Sequence, residues 1–144
     1  MTVIAYRDGI MAADTGTWSG NLITHCLAEK IYRTRTGALL ACAGRVSKII
    51  AVRQWIDGGD RPAPDEKDNF GALLVHREMK LVERISWDML IYPDEGPFQV
   101  EGSHDEFLFG ALAAGASAEE AVALALRFTG YAAGEVRTVR LGAD

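Results

Sequence analysis

Apolar and polar positions alternate over short runs through most of the chain and fall into helical spacing in only three places. Val3 to Arg7 and Ile10 to Asp14 are β-rich runs on either side of Asp8-Gly9, a strong two-residue hairpin signal. Thr15 to Gly20 is small and polar, which predicts a loop. Lys30 to Arg33 and Ala38 to Ala43 predict a second hairpin around Thr34–Gly37. Val46, Ile49, Ile50, Arg53 and Ile56 then mark one helical face, stopped by Gly58-Gly59. Residues 60–68 predict a surface loop. Phe70–Val75 and Lys80–Ile85 predict a third hairpin turning at His76–Met79. Met89–Tyr92 is a further candidate strand, Pro93–Pro97 a turn and Phe98–Val100 a short strand. Ser103 with Glu106, and Ser117 with Glu120, have the spacing of capping boxes, which predicts helices to about Ala114 and Phe128. Gly130–Gly134 is a loop, and Glu135–Leu141 alternates as a last strand. Runs of antiparallel strands with segregated helices define an α+β chain.

Composition narrows the function classes. A length of 144 residues predicts one domain over 1–144, with enough chain to bury a core unaided. The net charge of −5, with no basic stripe, argues against a nucleic-acid or membrane-surface partner. Short, interrupted apolar runs predict no transmembrane span, and the N-terminal residues predict no secretory signal. Cys26 and Cys42 make no disulfide framework, so a reducing cytoplasm is expected. His25, Cys26, His76 and His104 lack metal-ligand spacing, and neither cysteine has an evident histidine partner for nucleophilic chemistry. Trp18, Trp55 and Trp87 are expected to pack rather than to stack bases.

Five positions could carry chemistry, and each has an ordinary structural explanation beside it. Thr2 is small enough for aminopeptidase to strip Met1. A threonine with a free amine carries its own general base, since that amine titrates at roughly 7.7–8.0. Many proteins begin Met-Thr without such chemistry. If Asp8-Gly9 closes a two-residue turn, Val3 faces Asp14 and Thr2 faces Thr15, so register alone brings Asp14 to the end of the hairpin that holds Thr2. The plain alternative is an aspartate that ends a strand. Lys30, at a strand start, would lower the proton affinity of a nearby amine and stabilise negative charge on the hydroxyl oxygen. A solvated strand lysine is the plain alternative. Gly44 sits where a strand passes into a helix, offering either an oxyanion-binding N–H or a simple turn. Ser103 could aim its hydroxyl at the site or merely cap the helix.

Together these residues fit one pattern. The segments TVIAYRDGIMAADTGTWSGN, AEKIYRT and LLACAG resemble the start of proteasome β subunits and of the HslV peptidase, and EGSHDEFLFGALAAGASAEEAV resembles the serine-containing turn and helix pair of the same family. The resemblance is best over residues 2–46. It implies the N-terminal nucleophile hydrolase fold, a four-layer αββα sandwich of two antiparallel sheets. It implies Thr2 as nucleophile, Asp14 and Lys30 as its acid and lysine, Gly44 at the oxyanion and Ser103 beside the amine. It also implies a specificity pocket of Thr17, Ala28, Tyr32, Cys42, Val46 and Ile50, although Val46 and Ile50 also fit a helix core. The spacing from Asp14 through Lys30 to Gly44 matches the family without a gap. The first hairpin is shorter by an even number of residues, which preserves its facing pairs.

The same resemblance implies peptide-bond hydrolysis without metal or cofactor, a peptide or unfolded-protein substrate, and a homo-oligomeric ring; an ATP-dependent unfoldase partner cannot be inferred. Thr129 and Ala132 stand where the family has a second acid and a second serine, and His104 where it has a glycine. A catalytically silent ring scaffold, or an N-terminal amide hydrolase of small molecules, therefore stand beside the peptidase as alternatives.

Overall fold

The computed structural model describes residues 1–24, 29–78 and 81–142. The first hairpin joins β1 (Val3–Arg7) to β2 (Ile10–Asp14), in register from Ile4 opposite Ala13 to Arg7 opposite Ile10. Asp8 and Gly9 both have positive φ, 52° and 78°, as the tight turn favoured by right-handed strand twist requires. Thr15–Gly20 is not a simple loop. Thr17–Ser19 (β3) pairs with Leu22–Thr24 (β4) in a separate two-stranded ribbon, its Thr17 and Thr24 hydroxyls 2.9 Å apart. Local polarity hid a strand whose partner lies three residues on.

Ile31–Arg33 (β5), Leu39–Ala43 (β6), Gly71–Val75 (β7), Val82–Ser86 (β8) and Ile91–Asp94 (β9) form a five-stranded antiparallel sheet in that order. Phe98–Gly102 (β10), β1, β2 and Val136–Arg140 (β11) form a four-stranded sheet. Strand β9 begins later than its sequence suggests and runs through Pro93, which pairs with Glu83. A proline is tolerated there because β9 is the sheet edge, where its missing N–H leaves no ladder bond unmade.

Three apolar clusters stack the layers. Val3, Ala5, Ala12 and Val100, on one face of the four-stranded sheet, pack on Asp105–Ala113 (α2) and Ala118–Phe128 (α3) through Leu108, Leu112, Val122 and Ala125. The opposite face, with Ile4, Tyr6, Met11 and Ala13, meets Ile31, Leu39, Ala41 and Leu73 of the five-stranded sheet. The far side of that sheet, Leu40, Cys42, Ala72 and Leu74, is covered by Ile49 and Val52 of Val46–Ile56 (α1). Period-2 alternation thus sends odd and even residues of one strand into different clusters. The stack is helices, sheet, sheet, helix: an α+β arrangement compatible with a sandwich.

Two helix expectations need correction. The buried stripe of α1 is Ile49 with Val52, whereas Ile50 is 45% exposed. Ser103 does not cap α2. The chain leaves β10 through Gly102 at φ 110° and His104 at φ 50°, so the helix starts one residue later with His104 at its N-cap and no side-chain capping bond. Ser117 does cap α3, accepting from the Glu120 N–H at 3.1 Å. Among the described residues, no helix is long and apolar enough to cross a membrane.

Candidate active site

The first strand brings most of the sequence candidates to one end of the two sheets. Val3 donates its N–H to Asp14 Oδ1 at 3.1 Å, so the carboxylate replaces the next ladder acceptor beyond Ala13. Lys30, immediately before β5, places Nζ 2.8 Å from the same oxygen. Asp14 Oδ2 accepts from the Ala133 N–H at 3.0 Å. The Asp14 side chain is 0% exposed and that of Lys30 6%. Three donors on one buried carboxylate fix both members of the pair. Lys30 Nζ also lies 3.4 Å from the Met1 carbonyl oxygen, on the peptide bond that joins Met1 to Thr2.

Electrostatics follow from this packing. Burial lowers the pKa of Lys30 from its ordinary 10.5, opposed in part by the charge and hydrogen bond of Asp14. The chain's terminal amine at Met1 is lowered from 8.0, first by burial and then by the Lys30 charge, with Asp14 acting the other way. Burial pushes the Cys42 thiol up to about 12, which leaves it without nucleophilic character at neutral pH.

Thr2, Gly44 and Ser103 line one open cavity of about 540 Å³, together with Phe70, Trp87 and Glu101. Ser103 donates its N–H to the Thr2 carbonyl at 2.8 Å. Gly102, paired with Val3, makes this possible: a Cβ there would lie 2.0 Å from the Thr2 oxygen. Gly44 has φ 142°, and a Cβ at that position would press on the Phe70 ring at 3.1 Å. Gly102 is set by close backbone approach and Gly44 by the Phe70 ring, each in a conformation that L side chains rarely adopt.

Among the described residues, the expected specificity residues do not line that cavity. Tyr32 and Ile50 line a second cavity of about 560 Å³ near the end of α1, with Arg35, Arg53 and Asp57. Tyr32 donates to Asp57 Oδ2 at 2.5 Å, and the Arg53 guanidinium lies 3.9 Å above its ring. Cys42 is core beneath α1, Val46 is half-buried in the first turn of that helix, and Thr17 pairs with Thr24 in the β3–β4 ribbon. Ala28, like His25 and Cys26, lies outside the described residues. In the 129–134 loop, the Thr129 hydroxyl donates to the Ala125 carbonyl at 2.7 Å, and Ala133 serves through its backbone. His104 stacks on Tyr131 of this loop, ring centroids 3.5 Å apart.

Sequence reasoning missed the Ala133 amide and Glu101. The first left no trace because a backbone donor carries no side-chain signature. The second was legible: Gln99 and Glu101 alternate with Phe98 and Val100, which marks a strand continuing to Gly102.

No family model matches the sequence, and no curated protein matches it either. The structure is similar to that of Thiobacillus denitrificans BPH, with a TM-score of 0.71 and 17% identity over 99% of both chains. It is similar, too, to Thiobacillus denitrificans BPH in complex with epoxomicin, with a TM-score of 0.70, 17% identity and the same coverage. At that identity the likeness is one of fold, and it extends over nearly the whole of each chain.

Proposed function

We propose that this chain is a threonine-type peptidase of the proteasome-like N-terminal nucleophile class, active through Thr2 once Met1 has been removed. The observation that carries the reading is the buried Asp14–Lys30 pair at the Met1–Thr2 peptide bond. A buried ion pair is a poor way to stabilise a fold, because desolvation offsets most of the attraction. One held by three donors beside a residue that can become an N-terminal threonine has a chemical use. A fold like that of a protein studied with epoxomicin supports the same reading.

Loss of Met1 converts the Thr2 nitrogen into a primary amine. The Lys30 ammonium lowers that amine's proton affinity, leaving more of it free as a base at neutral pH. The amine takes the hydroxyl proton as Thr2 Oγ attacks the substrate carbonyl. The Gly44 N–H donates to the oxyanion. The proton passes to the departing nitrogen, the C–N bond breaks, and an ester on Thr2 is left. Water, deprotonated by the same amine, hydrolyses the ester and restores the hydroxyl. Substrates on this reading are peptides or unfolded protein, and the working form is a homo-oligomeric ring that encloses the sites. One observation favours a silent scaffold instead: the Thr129 hydroxyl is engaged at the end of α3, and Ala132 has no hydroxyl.

Intact mass with and without a peptide epoxyketone tests the reading. We expect a protein lacking Met1 that gains one adduct, lost in Thr2→Ala, and light scattering well above 15.6 kDa. An adduct that persists in Thr2→Ala would remove Thr2 as nucleophile. A Met1-free protein that neither labels nor cleaves a fluorogenic peptide overturns the peptidase reading, and a clean monomer at micromolar concentration rules out an enclosed chamber.

A further inference from the structure

Glu101 is a charged wall of the Thr2 cavity that the mechanism above leaves unused. Its neighbours Phe98 and Val100 pack toward the helices, so Glu101 points between the two sheets, as Ile4 does. Its Oε2 accepts from Arg84 at 2.9 Å, and its Oε1 from the Gly102 N–H at 3.2 Å. The space it fills exists because residue 71 is glycine: a Cβ there would lie 2.3 Å from Oε1.

Arg84 does not neutralise it. The same guanidinium also pairs with Asp94 and donates to Gln99 at 2.9 Å. One guanidinium facing two carboxylates leaves a net charge of −1 on the cluster, and Glu101 is the member that reaches the cavity.

Register places this charge beside Thr2. Val3 lies opposite Gly102 and Ile4 opposite Glu101. Thr2 precedes Val3 and Glu101 precedes Gly102, so the two lie on a diagonal across that last pair. Diagonal partners are about 7–8 Å apart at Cα, within reach of a long side chain. The Thr2 carbonyl already accepts from the Ser103 N–H, which holds Thr2 against the end of β10.

We propose that Glu101 is a positioning residue that anchors the freed Thr2 amine from the β10 side, in place of the acid that the 129–134 loop lacks. The inference rests on the Thr2 reading. Glu101 opposes Lys30: the lysine favours the neutral amine, and the carboxylate favours and orients the ammonium that forms when the hydroxyl gives up its proton. Burial raises the Glu101 pKa above 4.5, with Arg84 and the Gly102 N–H opposing. Arg84, Asp94 and Asp105, with Arg45 and Asp68 of the same cavity, are the other charges around it, and Asp14 and Lys30 flank Thr2 from the β2 side.

The test is an NMR titration of the Thr2 amine in chain released from a cleavable N-terminal fusion so that Thr2 comes first. Wild type, Glu101→Gln, Glu101→Asp and a remote charge control, Glu119→Gln, are compared. Glutamine keeps an acceptor for the Gly102 N–H, so Glu101→Gln should fold, with circular dichroism as the check. Removing an anion from beside an ammonium disfavours the charged form. The amine pKa should therefore fall by about half a unit to one unit in Glu101→Gln, less in Glu101→Asp, and not in the control. The acid limb of kcat against pH should move the same way, with plateau kcat down by roughly tenfold and KM nearly unchanged. If the amine is perturbed and labels normally but Glu101→Gln leaves it within roughly 0.2 unit of wild type, the Glu101 role is overturned and the Thr2 reading stands. If the wild-type amine titrates as an ordinary terminus and nothing labels, both fall.

Discussion

Replacing Lys30 by methionine separates what the buried ion pair does for the fold from what it does for chemistry. Methionine keeps an unbranched stem of similar length and removes the ammonium. Asp14 is then a fully buried carboxylate without its counter-ion, although the Val3 and Ala133 N–H groups still bond it at 3.1 and 3.0 Å. Breaking a buried pair from one side costs about 3–5 kcal/mol, and the two remaining donors put this case at about 3 kcal/mol. For a chain of 144 residues that corresponds to melting lowered by roughly 10 °C. Turnover should fall further than stability explains, by about 10²–10³, because Lys30 acts on charge developing at the hydroxyl oxygen and on the amine. The second arm is Lys30→Met with Asp14→Asn. It removes the unpaired charge but turns an amide toward one of the two N–H donors, so melting should recover only part of the way. Turnover should not recover at all. The assay is thermal melting beside cleavage of a fluorogenic peptide, at a temperature where every variant is folded. A double variant that regains activity in step with stability would reduce the pair to a structural element. A single variant that melts and cleaves like wild type would refute the reasoning outright.

Two further outcomes follow from the site's surroundings. Gly102→Ala drives a Cβ to 2.0 Å from the Thr2 carbonyl at a φ of 110°, so it should cost about 1–3 kcal/mol in melting and abolish epoxyketone labelling at Thr2, as intact mass would show. Ser117→Ala removes a true helix cap and should cost about 1 kcal/mol, whereas Ser103→Ala should leave melting within about 0.5 kcal/mol of wild type, because Ser103 caps nothing; equal losses in a denaturant series would contradict that assignment.

The α+β pattern and the first hairpin were legible because their causes are local. Asp8-Gly9 demands a two-residue turn, the turn fixes the register, and the register carries Asp14 to the N-terminal end of β1. The Ser117 cap was legible for the same reason, since the side chain and the N–H it satisfies are three residues apart. Where two causes compete over a few residues, the sequence by itself does not say which wins. Ser103 has the spacing of a cap, but the approach of Thr2 to Gly102 bends the backbone there, and the helix starts beyond it. Pro93 has the signature of a turn, but the neighbouring strand accepts it as an edge.

Tertiary structure alone decided which distant residues share a space. Sheet packing sent Thr2, Gly44, Ser103 and Glu101 to one cavity, but Tyr32 and Ile50 to another at the far end of α1. Folding the 129–134 loop against β2 supplied the Ala133 amide to Asp14. The net charge left beside Thr2 depends on one guanidinium meeting two carboxylates from different strands, Asp94 of β9 and Glu101 of β10. Turns, caps and hairpin registers are set within about a dozen residues of chain, whereas cavities and buried charges are sums over contacts from every layer, and no local pattern encodes such a sum.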